Sequence, residues 1–318
     1  MARAAQQDPF RDAHTRAHRV HHSERKKKLL LGNLLPAHAG RIAGLPPSAH
    51  PRKRDRLGSS EDLRRAAMEG AEAPLPVPTE KLSMDPNRDG GNRGGVVLVA
   101  TGSFNPPTYM HLRMFELAKD ELQQRGYCVL GGYMSPVNDA YKKKDLLPAA
   151  HRVRLCELAC RSSSFVMVDP WEAMQKGYQR TLTVLSRVKN SLCKDGLADQ
   201  GGVKAMLLCG SDLLESFSTP GVWIPDQVRA ICKDFGVVCI RREEKDVQKL
   251  ISSSETLQEC RDNIISVDEI VPNQISSSRV RECIRKHLSI KYLTCDEVIG
   301  YIREHRLYME TGESDTRS

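Results

Sequence analysis

An unbroken apolar, β-branched run, Val96-Val97-Leu98-Val99-Ala100, leads directly into Thr101-Gly102-Ser103-Phe104-Asn105-Pro106-Pro107-Thr108-Tyr109-Met110-His111. A run of that kind is a strand covered on both faces, which points to the interior of a parallel sheet. Gly102 lets the backbone turn sharply, and Pro106-Pro107 keep a helix from starting inside the loop. From Thr108 the period becomes helical: Leu112, Phe115, Ala118 and Leu122 share one side, with Arg113, Glu116, Lys119 and Asp120 on others. Thr108 suits the N-cap, which puts His111 in the first turn beside free backbone N–H groups. Strand, Gly turn and helix N-terminus together favour an anion, phosphate above all. Two readings of His111 stay open on spacing alone: a donor to a phosphate oxygen, or a side chain that only caps its own helix.

The alternation continues along the chain. Tyr127–Met134 reads as a second strand, and Ser135–Lys144 as a loop off its carboxyl end, where open α/β sheets bind ligands. Lys142-Lys143-Lys144 is either a solvated turn or, beside Tyr141, a phosphate contact. Pro148 opens a helix carrying Val153, Leu155, Leu158 and Ala159. Phe165–Val168 is a third strand, followed by Trp171, which is either core or a stacking surface. Thr181–Lys189 is helical, and Asn190–Gly202 is a surface loop. Val203–Phe217 repeats strand, Gly turn and helix, with Asp212 at the helix start, suited to the dipole or to a ribose hydroxyl. Phe235–Arg242 and Ile264–Val267 complete the strands. The expected fold is α/β: a doubly wound, Rossmann-like parallel sheet with helices on both faces.

A second motif closes the pattern, Asn273-Gln274-Ile275-Ser276-Ser277-Ser278-Arg279-Val280-Arg281-Glu282-Cys283-Ile284. Val280, Cys283 and Ile284 carry helical spacing, and the serines fall in the cap and first turn. Hydroxyls and N–H groups at a helix start can cradle a polyphosphate, with Arg281 adding fixed charge. An ordinary Ser-capped helix is the plainer alternative. Thr294 and Glu297 form a capping box for a last helix.

Charge divides the chain near residue 90. Residues 1–90 hold 17 Lys and Arg against 11 Asp and Glu, which leaves 31 against 29 for the rest. The basic character thus belongs to a leader, read as disordered over 1–90, ahead of a domain at 91–310 and a disordered tail at 311–318. Arg25-Lys26-Lys27-Lys28 and Arg52-Lys53-Arg54-Asp55-Arg56 are clusters of nuclear-import type, so nucleus or cytoplasm is the expected location. The leader's His14, His18, His21 and His22 lack any fixed ligand spacing or accompanying Cys. Leu29-Leu30-Leu31 is far too short for a membrane span. Ten Cys without a C-x-x-C pair, several inside apolar runs, read as buried free thiols in a reducing compartment.

Gly102-Ser103-Phe104-Asn105-Pro106 followed by His111 resembles the signature of the nucleotidyltransferase superfamily, G-[ST]-F-x-P-x-H-x-G-H. Gly102 through Glu116 is similar to the eukaryotic nicotinamide/nicotinic acid mononucleotide adenylyltransferases. Thr108 stands for the first His of the general pattern and Met110 for its Gly, and the eukaryotic branch also lacks that His. Ile275-Ser276-Ser277-Ser278-Arg279-Val280-Arg281 resembles the superfamily's I-S-S-[ST]-x-x-R, about 165 residues further on.

The resemblance implies adenylyl transfer from ATP, with Mg²⁺ or another divalent cation, to a pyridine mononucleotide. It implies His111 and Arg281 as catalytic residues, and a nucleotide site of Gly102, Ser103, Phe104, His111, Gly210, Asp212, Ser276, Ser277, Ser278 and Arg281. It puts the mononucleotide on Tyr141, Lys143, Trp171, Tyr178, Thr181, Val222, Trp223, Arg242 and Asn273. No protein metal ligands are expected. An assembly of identical chains is expected, without a membrane or nucleic-acid partner. Two alternatives stay open: a transferase of the superfamily with another acceptor, and a binding protein whose leader contacts nucleic acid. The lack of G-x-x-x-x-G-K-[ST], and a Gly-rich Gly90–Gly95 stretch that precedes its strand instead of following it, argue against a P-loop or dinucleotide-binding Rossmann enzyme.

Overall fold

The computed structural model describes residues 75–83, 94–194, 202–241, 245–271 and 273–309. Six strands form one sheet: β1 (Gly95–Gly102), β2 (Cys128–Pro136), β3 (Val166–Val168), β4 (Lys204–Gly210), β5 (Val237–Arg241) and β6 (Ile264–Asp268). Every pairing is parallel, in the order β3-β2-β1-β4-β5-β6. The doubly wound arrangement expected from the apolar runs is therefore present. The order reverses between β1 and β4, and the crevice outside their carboxyl ends is where such sheets bind ligands.

The intervening helices are α1 (Tyr109–Gln124), α2 (Ala149–Cys160), α3 (Trp171–Met174), α4 (Thr181–Lys194), α5 (Ser211–Ser216) and α6 (Pro225–Ala230). Beyond β5 come α7 (Val247–Ser252), α8 (Glu255–Glu259), α9 (Ser277–Arg285) and α10 (Asp296–Glu304). β1 shows why its run has no polar break. Val96, Leu98 and Ala100 pack with Phe115, Ala118 and Leu122 of α1. Val97 and Val99 pack on the other face with Val184, Leu185 and Val188 of α4. A third apolar cluster joins Leu155, Leu158 and Ala159 of α2 to Val280 of α9 and to Val298, Ile299 and Ile302 of α10. That cluster fixes where α9, the carrier of the second motif, begins. β5 starts two residues later than its apolar run suggests, because Ile231–Phe235 closes a π-helical turn and Gly236 leaves it at φ 88°. The ten Cys are free and eight are buried.

Two adjacent glycines in β2 are explained by what presses on them. A Cβ on Gly132 would stand 2.7 Å from the Phe115 ring, and one on Gly131 would stand 2.5 Å from Leu82. Close approach of α1 to the sheet thus depends on Gly132. Gly132→Val is expected to cost about 1–3 kcal/mol through overpacking, read as a lower denaturant midpoint. An unchanged midpoint would show that Phe115 can move aside freely.

Leu82 belongs to a segment that the charge boundary assigns to the leader. Residues 75–83 instead dock on the domain. Val77 is buried, Pro78 O accepts from the Tyr133 hydroxyl at 2.7 Å, and Leu75 O accepts from Arg187 Nη2 at 2.6 Å. Lys81 Nζ donates to the carbonyls of Cys160, Ser163 and Val166 at 2.6, 2.8 and 3.1 Å, satisfying groups at the end of α2. The leader read over 1–90 therefore does not include 75–83. Residues 1–74, 84–93 and 310–318, with the basic clusters and the tail, lie outside the described residues, as does Arg242.

Candidate active site

The loop from β1 to α1 lies at the strand-order reversal. Phe104 takes a left-handed φ of 41° and is buried, and the Asn105–Pro106 peptide is cis. α9 clasps this loop from the far end of the sequence. Ser277 Oγ donates to Pro106 O at 2.7 Å, and Arg281 Nη1 donates to Asn105 O at 2.7 Å. Thr294 Oγ1 adds a third bond, to Pro107 O at 2.9 Å. The two sequence motifs thus become one wall.

Within α9, Ser276 is the N-cap and accepts from Arg279 N, while Asn273 Oδ1 accepts from Ile275 N at 2.8 Å and shapes the approach. Ser278 Oγ accepts from Arg281 Nη2 at 3.4 Å. The three serines differ: Ser276 caps, Ser277 spends its hydroxyl hydrogen on the loop, and Ser278 stays exposed at the helix start. Arg281 is buried, its Nε has no protein partner, and burial pulls its pKa below the usual guanidinium value. A charged, desolvated guanidinium with an unsatisfied N–H suits an anion.

His111 caps its own helix. Its Nδ1 accepts from the backbone N–H of Thr108 at 3.0 Å and lies 2.8 Å from Thr108 Oγ1. A backbone N–H can only donate, so Nδ1 bears the lone pair and the neutral ring carries its proton on Nε2. The cap selects the tautomer that makes the ring a donor. The Phe104 ring meets the imidazole edge-on, 5.2 Å between centroids.

The loop after β2 forms the facing side. Lys143 Nζ donates to Ser103 Oγ at 3.1 Å, which brings the Lys loop onto the β1 loop. Lys143 is exposed to solvent overall. Desolvation first, and the Arg281 charge second, hold its pKa below the ordinary lysine value. Tyr141 stacks on Tyr178, 6.0 Å between centroids and 23° from parallel, with both rings about half exposed. Asn138 pins this loop, donating to Ala173 O and Gln175 O and accepting from Ala140 N.

Beneath both loops lies Arg152, fully buried. It donates to Leu147 O and Val137 O at 2.7 Å, to Asp139 Oδ1 at 2.8 Å and to Ser103 O at 3.4 Å.

Trp171 is buried in the main cluster, and the Arg187 guanidinium sits 4.9 Å over its ring. Arg187 also pairs with buried Asp169 at 2.6 Å. Thr181 is buried at the start of α4. Past β4, Gly210 is the N-cap of α5, and Asp212 Oδ1 lies 2.6 Å from Lys245 Nζ, which also reaches Glu215. Trp223 donates from Nε1 to Ser216 Oγ at 3.0 Å and meets Phe217 edge-on, while Val222 is exposed. Among the described residues no group of three His, Cys, Asp or Glu is placed to hold a metal ion.

Glu172 is a buried carboxyl that sequence reasoning passed over. Ser135 Oγ donates to its Oε2 at 3.3 Å. Burial pushes its pKa up from 4.5 to about 8. Asp169 adds to the rise, and Ser135 and Arg152 oppose it. The folded chain keeps this proton between roughly pH 4.5 and 8 while the unfolded chain loses it, so its contribution to stability falls as pH rises through that window. Glu172→Gln is expected to gain on wild type from pH 5 to pH 8, by up to about 4 kcal/mol in chemical denaturation. A difference that does not vary with pH would contradict a protonated Glu172.

A family model described as cytidylyltransferase-like matches residues 99–283, from β1 into α9, and with this sheet and paired phosphate motifs it defines a nucleotidyltransferase. The chain is 82% identical over 246 residues to the nicotinamide/nicotinic acid mononucleotide adenylyltransferase of Oryza sativa subsp. japonica, covering 77% of this chain and 99% of that one. It is 64% identical to the Arabidopsis thaliana enzyme of the same name, covering 74% and 98%. Against that of Bos taurus, named with the number 1, identity is 40%, covering 70% and 91%. The chain belongs to the nicotinamide/nicotinic acid mononucleotide adenylyltransferase family.

Proposed function

We propose that this enzyme joins the adenylyl group of ATP to the 5′-phosphate of nicotinamide mononucleotide or nicotinic acid mononucleotide. A phosphate oxygen of the mononucleotide attacks the α-phosphorus. The bond from that phosphorus to its bridging oxygen breaks, and the electron pair leaves with pyrophosphate. The products are pyrophosphate and NAD or its deamido form. No protein nucleophile is needed, because the attacking phosphate is already an anion; alignment and charge compensation remain.

Nε2 of His111 donates to the ATP phosphates, Arg281 and the start of α9 hold the leaving pyrophosphate, and Lys143 steers the incoming phosphate. Tyr178 and Tyr141 offer aromatic faces to the pyridine ring. Asp212 and Gly210 lie where β4 adjoins β1 and suit a ribose. Mg²⁺ would enter with ATP rather than on a protein carboxylate set, since among the described residues no three His, Cys, Asp or Glu are placed to hold a metal ion. When bound it would offset polyphosphate charge.

The observation that carries this reading is the clasp of Ser277 on Pro106 O and of Arg281 on Asn105 O, which merges two phosphate motifs into one surface. The test is pyrophosphate release by the full chain with ATP and Mg²⁺, with each mononucleotide and with neither. Release that requires a pyridine mononucleotide is expected. Release independent of it, or none from folded protein, would overturn the assignment.

A further inference from the structure

The chain returns to its phosphate loop at its carboxyl end. After α10 it doubles back through Arg306 and Tyr308, both left-handed at φ 48° and 65°, with Leu307 buried against the third cluster. The Tyr308 hydroxyl then reaches Asn105 Oδ1 at 2.9 Å, across 203 residues of sequence. Burial pushes that phenol's pKa up, so it stays protonated and able to donate.

Asn105 is fully buried, and its side-chain amide and backbone carbonyl all find partners. Nδ2 donates to Asp145 O at 2.7 Å, and the backbone carbonyl accepts from Arg281. Oδ1 accepts from Leu147 N at 3.4 Å as well as from Tyr308. A backbone N–H can only donate, which fixes the orientation of the amide. Asp145 and Leu147 close the turn that holds Lys143, whose carbonyl accepts from Leu146 N at 3.3 Å. Asn105 therefore touches the supports of Arg281 on one side and of Lys143 on the other. The bonds to Asp145 O at 2.7 Å and from Tyr308 at 2.9 Å hold the amide plane from opposite ends.

We propose that Tyr308 is a positioning residue for adenylyl transfer, setting the spacing between Arg281 and Lys143 through the side chain of Asn105. The proposal rests on the reading of the site given above. An in-line attack between two polyanions tolerates little displacement of the cations that hold them, and an error of about 1 Å costs on the order of a hundredfold.

The test removes only the hydroxyl. Tyr308→Phe in the full chain is expected to lower kcat about tenfold with each KM changed less than about twofold. Asn105→Ala should lower kcat at least as far, and Tyr308→Phe added to it should lower kcat no further. A purely structural tyrosine would lose activity in step with the melting temperature and additively with Asn105→Ala. An unchanged kcat in Tyr308→Phe, or full additivity, overturns the proposal. Wild-type protein that forms no dinucleotide from either mononucleotide overturns the function and this inference together, whereas active wild type beside equally active Tyr308→Phe sinks the inference alone.

Discussion

His111→Ala is expected to lower kcat by about 10²–10³-fold, while costing the fold only about 1 kcal/mol. On the proposed reading the two effects separate, because one ring nitrogen caps and the other faces the phosphates. Its Nδ1 takes the Thr108 N–H, closing the first turn of α1, and loss of a cap costs about 0.5–2 kcal/mol. The same bond leaves the proton on Nε2, and a preorganised donor to developing phosphate charge lowers the barrier by about 2.7–4 kcal/mol. Stability by denaturant and steady-state kinetics on one variant therefore answer different questions. A wild-type kcat and an unchanged KM for ATP would reduce His111 to a cap.

Arg152→Met is expected to cost about 3–5 kcal/mol of stability, the largest such effect for a single side chain here. Met fills the volume but leaves the carbonyls of Leu147 and Val137 buried without their donor. It also releases Asp139, which is half exposed and can return to water, so the damage lies in the orphaned carbonyls. Arg152→Lys should recover little, since one ammonium cannot replace a fork reaching three loop segments. Because those segments carry Ser103, Tyr141 and Lys143, KM should rise for both substrates even where the variant folds. A loss below about 1 kcal/mol would mean that the loops hold themselves.

The elements were legible where one physical demand dominated. Val96–Ala100 must be buried on both faces, and the switch to helical spacing at Thr108 leaves little choice about α1. Ser276–Arg281 was legible as a helix start, and its resemblance to a phosphate motif supplied the partner across the sequence. Other features had no local signature. Arg152 reads as one more polar residue in a helix, and only the loops folded over it reveal its four bonds. Tyr308 lies 203 residues from the atom it contacts. Leu75-Pro76-Val77-Pro78 has linker composition, but its alternating apolar side chains are a docking pattern once β2 provides a surface. Trp171 is ambiguous in sequence because an aromatic after a strand serves core and ligand equally well, and nothing local announces the Arg187 guanidinium over its ring.

Both ends of the described domain fasten to one helix. Lys81, near its start, ties down the carbonyls at the end of α2, and α10, near its finish, packs along Leu155 and Leu158 of the same helix. Chain ends normally fray first and lend their looseness to whatever they touch. Here neither end can peel away without uncovering α2, and α2 carries Arg152 under both phosphate loops. Amide exchange in α2 should accordingly be governed by opening of the whole described domain, so the loops over Arg152 rest on a support that does not open locally.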